Sequence, residues 1–116
     1  MNKAGLYTRR AAGVFALLAL VAFGQEASAQ DVTIEIAVKG KKFQPNEIRA
    51  PANKAIVLKV KNQDATSMEF ESKSLRVEKV VAANSEGIIR LRALKPGRYE
   101  FFDDFNESNR GTLVVE

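Results

Sequence analysis

From residue 32 onward, hydrophobic and polar residues alternate along the chain with a period of two. In the clearest case, residues 32–38, Val32, Ile34, Ile36 and Val38 lie on one face of an extended segment, which is the pattern of a half-buried β-strand. The β-branched run 55–61 predicts a second strand. Further extended segments are expected at 43–48, 68–72, 75–81, 88–94, 98–102 and 111–115.

Turn-forming residues separate these segments. Lys95-Pro96-Gly97 predicts a tight turn, because proline presets φ and glycine accepts a positive φ. The polar stretch 103–110 is expected to be a loop. No segment has a helical hydrophobic period. Seven or eight short strands at regular spacing predict an all-β fold, a β-sandwich.

The first 29 residues have the organisation of a secretory signal peptide. Lys3, Arg9 and Arg10 precede an uncharged apolar run at 11–23, and small residues at 27–29 provide a cleavage site. We expect cleavage after Ala29, export by the general secretory route and a periplasmic domain spanning residues 30–116. An uncleaved membrane anchor is the alternative, although the run is shorter than the roughly 20 residues that span a bilayer.

The composition excludes several kinds of chemistry. The chain has no cysteine, histidine or tryptophan, so it has no disulfide, thiolate ligand, imidazole base or imidazole ligand. Its net charge is +4, of which the predicted leader contributes +2. The remaining +2 does not favour nucleic-acid binding. No enzyme signature is found, and a ferroxidase activity would need an electron acceptor that the chain does not evidently hold.

Nearly the whole predicted domain, from about residue 32 to residue 115, resembles the cupredoxins. The turn and aromatic strand 95–102, the following polar stretch and the Gly-led segment 111–115 are similar to the end of that fold, and Phe43-x-Pro45 and Asn62-x-Asp64 also fit. The resemblance implies a Greek-key β-sandwich over about residues 32–115. Glu69-Phe70-Glu71 and the segment 101–105 look most like EfeO-type cupredoxin-like domains. That likeness implies an iron-uptake role, with iron or copper as the metal and an iron permease or another periplasmic uptake protein as partner.

The usual copper ligands of that family are missing from this sequence. Met68 stands near the first histidine position, Asp103 at the cysteine position and Asn106 at the second histidine position. A type 1 copper site depends on copper–thiolate bonding. The sequence therefore excludes blue-copper electron transfer.

Carboxylates are the remaining candidates for a metal site. Glu69 and Glu71 project from the same face of a predicted strand, and the resemblance brings Asp103 and Asp104 to the same end of the sandwich. With the Met68 thioether, they form a candidate set for iron, or for copper as the alternative. Two other interpretations stay open: a solvated acidic face, and a metal-free cupredoxin fold that docks on a membrane or periplasmic partner.

Basic residues form two further groups. Lys39, Lys41 and Lys42 lie in one predicted turn, and Arg90 and Arg92 share one strand face. They are interpreted either as a solubilising edge or as a docking surface for an acidic partner or a membrane.

Overall fold

The computed structural model describes residues 31–116, and the predicted signal peptide lies outside them. The nine strands of this part of the chain are β1 (Val32–Lys39), β2 (Lys42–Gln44), β3 (Glu47–Ala50), β4 (Ile56–Asn62), β5 (Met68–Ser72), β6 (Val77–Val81), β7 (Ser85–Leu91), β8 (Gly97–Asp103) and β9 (Asn106–Val115). Within residues 31–116, no helix is long and apolar enough to cross a membrane. The predicted all-β class is confirmed.

The strands form two sheets that pack face to face. One sheet has the strand order β2-β1-β4-β7, and the other has the order β3-β9-β8-β5-β6. Most neighbours are antiparallel, but β1 pairs with β4 and β3 pairs with β9 in parallel. The predicted β-sandwich is therefore confirmed.

The segment predicted as one extended piece, 43–48, contributes to both sheets. Its first part, β2, pairs with β1, and its second part, β3, pairs with β9. The chain crosses between the sheets at Pro45 and Asn46. There the Asn46 carbonyl accepts a hydrogen bond from the Thr112 N–H at 2.9 Å, which fixes the crossing against the last strand.

The expectation of a polar loop at 103–110 is wrong. Strand β8 continues to Asp103 and β9 begins at Asn106, so a turn of only two residues joins them. Polar side chains are compatible with a strand here because β9 pairs with β8, β3 joins its other side only at residues 112–115, and most side chains of 106–110 are exposed or partly exposed. Arg110 lies opposite Phe102 in the ladder, and its guanidinium carbon is 4.9 Å from the Phe102 ring centroid, a cation–π contact.

Two other predicted strand boundaries shift. The segment 75–81 begins as a turn, in which Arg76 has a φ of 59°, and β6 starts at Val77. The segment 88–94 becomes the earlier strand Ser85–Leu91, because residues 85–91 pair in register with β4.

Three phenylalanines form the centre of the core. Phe70 and Phe101 stack with their ring centroids 4.9 Å apart, and Phe43 meets the Phe101 ring edge-on, also at 4.9 Å. All three side chains are buried. Since the chain has no cysteine, this packing has to hold the two sheets together without a disulfide.

Gly111 provides the space for the Phe101 ring, and its substitution should destabilise the fold. A Cβ at this position would lie 2.5 Å from ring carbons of Phe101 and 2.9 Å from the Asn46 carbonyl oxygen. We expect Gly111→Ala to lower the free energy of unfolding by about 1–3 kcal/mol through overpacking, measured by urea denaturation. Gly97→Ala is the control, because its nearest contact would be an ordinary 3.5 Å. Equal midpoints for the two variants would contradict this account of the core.

Candidate metal centre

Strand β5 presents its side chains alternately to the core and to the outer surface. Met68, Phe70 and Ser72 point inward and are buried, whereas Glu69 and Glu71 are partly exposed on the opposite face. Successive residues of a strand project to opposite faces. The thioether of Met68 and the carboxylate of Glu69 therefore lie on different sides of the sheet.

The same division separates the two aspartates of the β8–β9 hairpin. Asp103 is only 3% exposed and points inward, whereas Asp104 is exposed in the turn. The five candidate ligands were expected to lie near one another, and this expectation needs correction. Glu69, Glu71 and Asp104 share the outer face, while Met68 and Asp103 lie on the inner side.

The three outer carboxylates form a compact group, which we call the outer carboxylate cluster. One oxygen from each of Glu69, Glu71 and Asp104 lies within 4.8 Å of the other two. That separation allows a single cation to contact all three residues. Glu69 and Glu71 are partly buried and Asp104 is exposed, so the cluster is open to solvent on one side.

Backbone hydrogen bonds place Asp104 beside the glutamates. The Asp104 N–H donates to the Glu69 carbonyl at 2.9 Å, and the Glu69 N–H donates to Oδ1 of Asp103 at 3.0 Å. Oδ1 of Asp103 also accepts the Phe105 N–H at 3.0 Å. These bonds close the hairpin turn and hold it against β5.

The electrostatics of the cluster favour cation binding. Partial burial raises the pKa of Glu69 above its usual value of 4.5. The charge of Asp104 raises this pKa further, and so does the hydrogen bond that a protonated Glu69 donates to Asp104. Partial burial followed by the charge of Asp104 likewise raises the pKa of Glu71. Since like charges disfavour ionisation, a bound cation would relieve this repulsion.

Glu78 is a neighbour of the cluster that sequence analysis missed. It lies directly opposite Glu71 in the β5–β6 ladder, and its charge raises the pKa of both Glu69 and Glu71. Two like charges in a cross-strand pair are unfavourable. The predicted strands 68–72 and 75–81 indicate a hairpin. Which residue lies opposite Glu71 depends on the register, and the register depends on where the turn begins.

The inner candidates line a cavity that is separate from the outer carboxylate cluster. Met68, Asp103 and Asn106, the residues that the cupredoxin resemblance placed at copper-ligand positions, line one cavity of about 210 Å³. These three residues offer one thioether, one carboxylate and one amide, and Asp64 adds a second carboxylate to the lining. With no cysteine in the chain, no type 1 copper site can form there.

These features agree with the comparison to known families. The sequence matches the family model described as "Cupredoxin-like domain" over residues 11–115. The chain therefore belongs to the cupredoxin-like family.

Individual relatives and solved structures carry the same likeness. An uncharacterized protein of Rickettsia prowazekii (strain Madrid E) is 40% identical over 83 residues, which are 71% of this chain and 66% of that protein. This chain thus spans just under two thirds of that relative. The fold is similar to the metal-binding domain of the Cu(I)-exporting P-type ATPase CopA of Streptococcus pneumoniae D39, solved with Cu(I), with a TM-score of 0.66, 16% identity and coverage of 77% and 98% of the two chains. It is also similar to auracyanin A, a blue copper protein of Chloroflexus aurantiacus, with a TM-score of 0.64, 18% identity and coverage of 75% and 100%.

Removing the Asp103 carboxylate should loosen the hairpin. In Asp103→Ala, the N–H groups of Glu69 and Phe105 lose their acceptor, and we expect a loss of about 1–3 kcal/mol in the free energy of unfolding, measured by urea denaturation. Asp103→Asn keeps a carbonyl oxygen that can accept both bonds, so it should lose less. Equal losses in the two variants would show that the hydrogen bonds to Oδ1 do not stabilise the turn.

The raised pKa values of the glutamates predict a pH dependence with a defined sign. A carboxyl whose pKa is higher in the folded state binds its proton more tightly there than in the unfolded chain. Its contribution to stability is complete below its usual value of 4.5 and is lost as the pH rises through the folded pKa. The Glu69→Gln variant should therefore gain stability relative to the native protein between acidic and neutral pH. Thermal melts from pH 4 to pH 7.5 test this, and a pH-independent difference would contradict it.

Proposed function

We propose that this protein is a periplasmic metal-binding protein that assists iron uptake through the outer carboxylate cluster, as its resemblance to EfeO-type domains implies. The observation that carries the proposal is the convergence of Glu69, Glu71 and Asp104 within 4.8 Å. Two of these residues lie on one strand and the third is fixed to that strand by the Asp104–Glu69 backbone hydrogen bond. The three ligands are thus positioned before a metal arrives.

The chemistry of the cluster favours a hard cation. Carboxylate oxygens suit Fe(III), Fe(II) and Mn(II) better than they suit Cu(I). Three protein oxygens leave further coordination positions for water or for a ligand from a partner. An open site of this kind binds and releases its metal readily, which suits a protein that passes iron to a permease.

Copper is the alternative metal, and it would use different residues. Two structural neighbours are named as copper proteins, and the inner cavity contains the Met68 thioether beside Asp103 and Asn106. One thioether is a sparse ligand set for Cu(I), whose usual protein ligands are several sulfur atoms. The outer carboxylate cluster is therefore the better candidate for the metal site.

A metal-free docking module is the second candidate function. Asp103 uses Oδ1 to hold two backbone N–H groups, which is a structural role at the position where the family places a copper ligand. Phe105, two residues after Asp103, is 57% exposed at the tip of the hairpin. Aromatic side chains are enriched in protein interfaces, so Phe105 is the residue through which such a module would contact its partner.

Location and partner follow from the same proposal. The predicted signal peptide with cleavage after Ala29 would deliver the domain to the periplasm. An iron permease, or another periplasmic uptake protein, would then receive the metal. The exposed position of Asp104 leaves one side of the cluster accessible to such a partner.

Calorimetry with ferric nitrilotriacetate, Fe(II), Cu(I) and Cu(II) tests the metal function. We expect saturable binding of iron that weakens as the pH falls, because protons compete for the carboxylates. Glu69→Gln combined with Asp104→Asn should reduce the affinity roughly tenfold or more, which corresponds to about 1.4 kcal/mol or more. Glu86→Gln is the control for the removal of a negative charge, because Glu86 is an exposed glutamate on β7 of the other sheet.

Three results would overturn this proposal. Absence of saturable iron binding would remove the metal function and leave the docking module. Iron binding that survives the double substitution unchanged would move the site away from the outer carboxylate cluster. Copper binding that is lost in Met68→Leu but retained in the double variant would assign the function to the inner cavity.

A further inference from the structure

A second cavity, unrelated to the outer carboxylate cluster, lies where the β1–β2 turn and β2 meet β9. Its volume is about 340 Å³, and its walls include Lys41, Lys42, Asn46, Asn109 and Arg110. Lys41 and Lys42 supply its positive charge, because the Arg110 guanidinium lies over the Phe102 ring, and no carboxylate side chain is among the lining residues. We call this site the basic cavity.

Asn109 is the unusual member of the basic cavity. It is only 7% exposed, and its Oδ1 accepts the Phe43 N–H at 2.9 Å. Because the Phe43 N–H can only donate, this bond fixes the orientation of the amide and leaves Nδ2 at the other end. Within residues 31–116, Nδ2 is a buried donor that has no hydrogen-bond partner. A buried donor without an acceptor costs free energy, so an acceptor from outside the chain would stabilise this nitrogen.

The two lysines project from a rigidly held turn. Gly40 and Lys41 have φ values of 62° and 59°, and their N–H groups donate to the two carboxylate oxygens of Asp64 at 2.7 and 2.8 Å. Asp64 is not among the residues that line the basic cavity. Its carboxylate therefore fixes the turn backbone, and the lysine ammonium groups remain available to a ligand in the cavity.

We propose that the basic cavity is a binding site for a small oxyanion, with phosphate as the best match. A phosphate dianion would balance the charges of Lys41 and Lys42, and lysine is a usual protein ligand of phosphate. Its oxygens would also supply the acceptor that Asn109 Nδ2 lacks. The volume accommodates phosphate together with water or a small organic group, so phosphomonoesters belong to the same ligand class.

This site does not depend on the proposed metal function. The basic cavity shares none of the three residues of the outer carboxylate cluster. Loss of metal binding would leave oxyanion binding intact, and the reverse also holds. The two proposals can therefore fail separately.

Titration of the ¹⁵N-labelled protein with inorganic phosphate at constant ionic strength tests the proposal by NMR. We expect saturable shifts of the Asn109 side-chain amide and of the Lys42 and Phe43 backbone amides. Asn109→Asp keeps an acceptor for the Phe43 N–H but removes the donor and adds a negative charge, so it should abolish these shifts. Lys41→Gln with Lys42→Gln should weaken the affinity roughly tenfold, which corresponds to about 1.4 kcal/mol.

A charge control and a lipid arm complete the experiment. Lys54→Gln removes an exposed lysine in the β3–β4 connection and should leave the affinity unchanged. Vesicles of phosphatidylcholine with and without phosphatidylglycerol show whether the phosphate source is a lipid headgroup. Binding only to the anionic vesicles, lost in Asn109→Asp, would support the same site with a lipid source.

Three results would overturn the proposal. Shifts that do not saturate, or that Lys54→Gln weakens as much as the paired substitution, would indicate nonspecific attraction. An Asn109 amide that phosphate leaves unmoved, and that shows exchange contacts with a bound water, would indicate an internal water only. Full phosphate affinity in folded Asn109→Asp would show that Nδ2 takes no part.

Discussion

The carboxylate of Asp103 fixes the arrangement on which the candidate site depends. One of its oxygens accepts two backbone N–H groups, one from the adjacent turn and one from β5. These bonds keep the β8–β9 connection short and hold it against β5. As a result, Asp104 lies beside Glu69 and Glu71 on the outer face, and the side chain of Asp103 itself points inward. A residue that the family resemblance places at a metal-ligand position therefore acts here as a structural acceptor.

The core and the acidic surface are consequences of the same strand alternation. On the inside, Phe70 stacks with Phe101, and Gly111 makes room for the Phe101 ring. On the outside, Glu69 and Glu71 bring like charges together, and burial and repulsion raise the pKa of both. The packing on one face thus stabilises a strand whose other face is strained electrostatically, and a cation is the natural means of relieving that strain.

The strand alternation made much of the fold predictable from the sequence. The period-two pattern of 32–38 and the β-branched run 55–61 correspond to β1 and β4, and the glycine at position 97 begins β8. The stretch 103–110 was misjudged because asparagine, serine and charged residues have low β-propensity. Its part in the β8–β9 hairpin is a tertiary effect that composition does not reveal.

The candidate site was only partly predictable for a related reason. The rule that put Glu69 and Glu71 on one face also puts Met68 on the other. The resemblance brought Asp103 and Asp104 to the same end of the sandwich, but it did not show that Asp103 points inward. Glu78 was missed because its position opposite Glu71 depends on the register of a hairpin. The unpaired amide of Asn109 depends on a hydrogen bond to Phe43, 66 positions away in the chain, and no local pattern could indicate it.

The parallel pairing of β3 with β9 has a consequence for the order of folding. Residues 47–50 pair with residues 112–115, so a chain that emerges with its N-terminus first cannot complete the second sheet until nearly all of it is available. Strands β1 and β4, which pair earlier in the sequence, can associate before that point. Contacts of such long sequence separation slow folding. During biosynthesis the second sheet therefore stays incomplete until β9 has been synthesised.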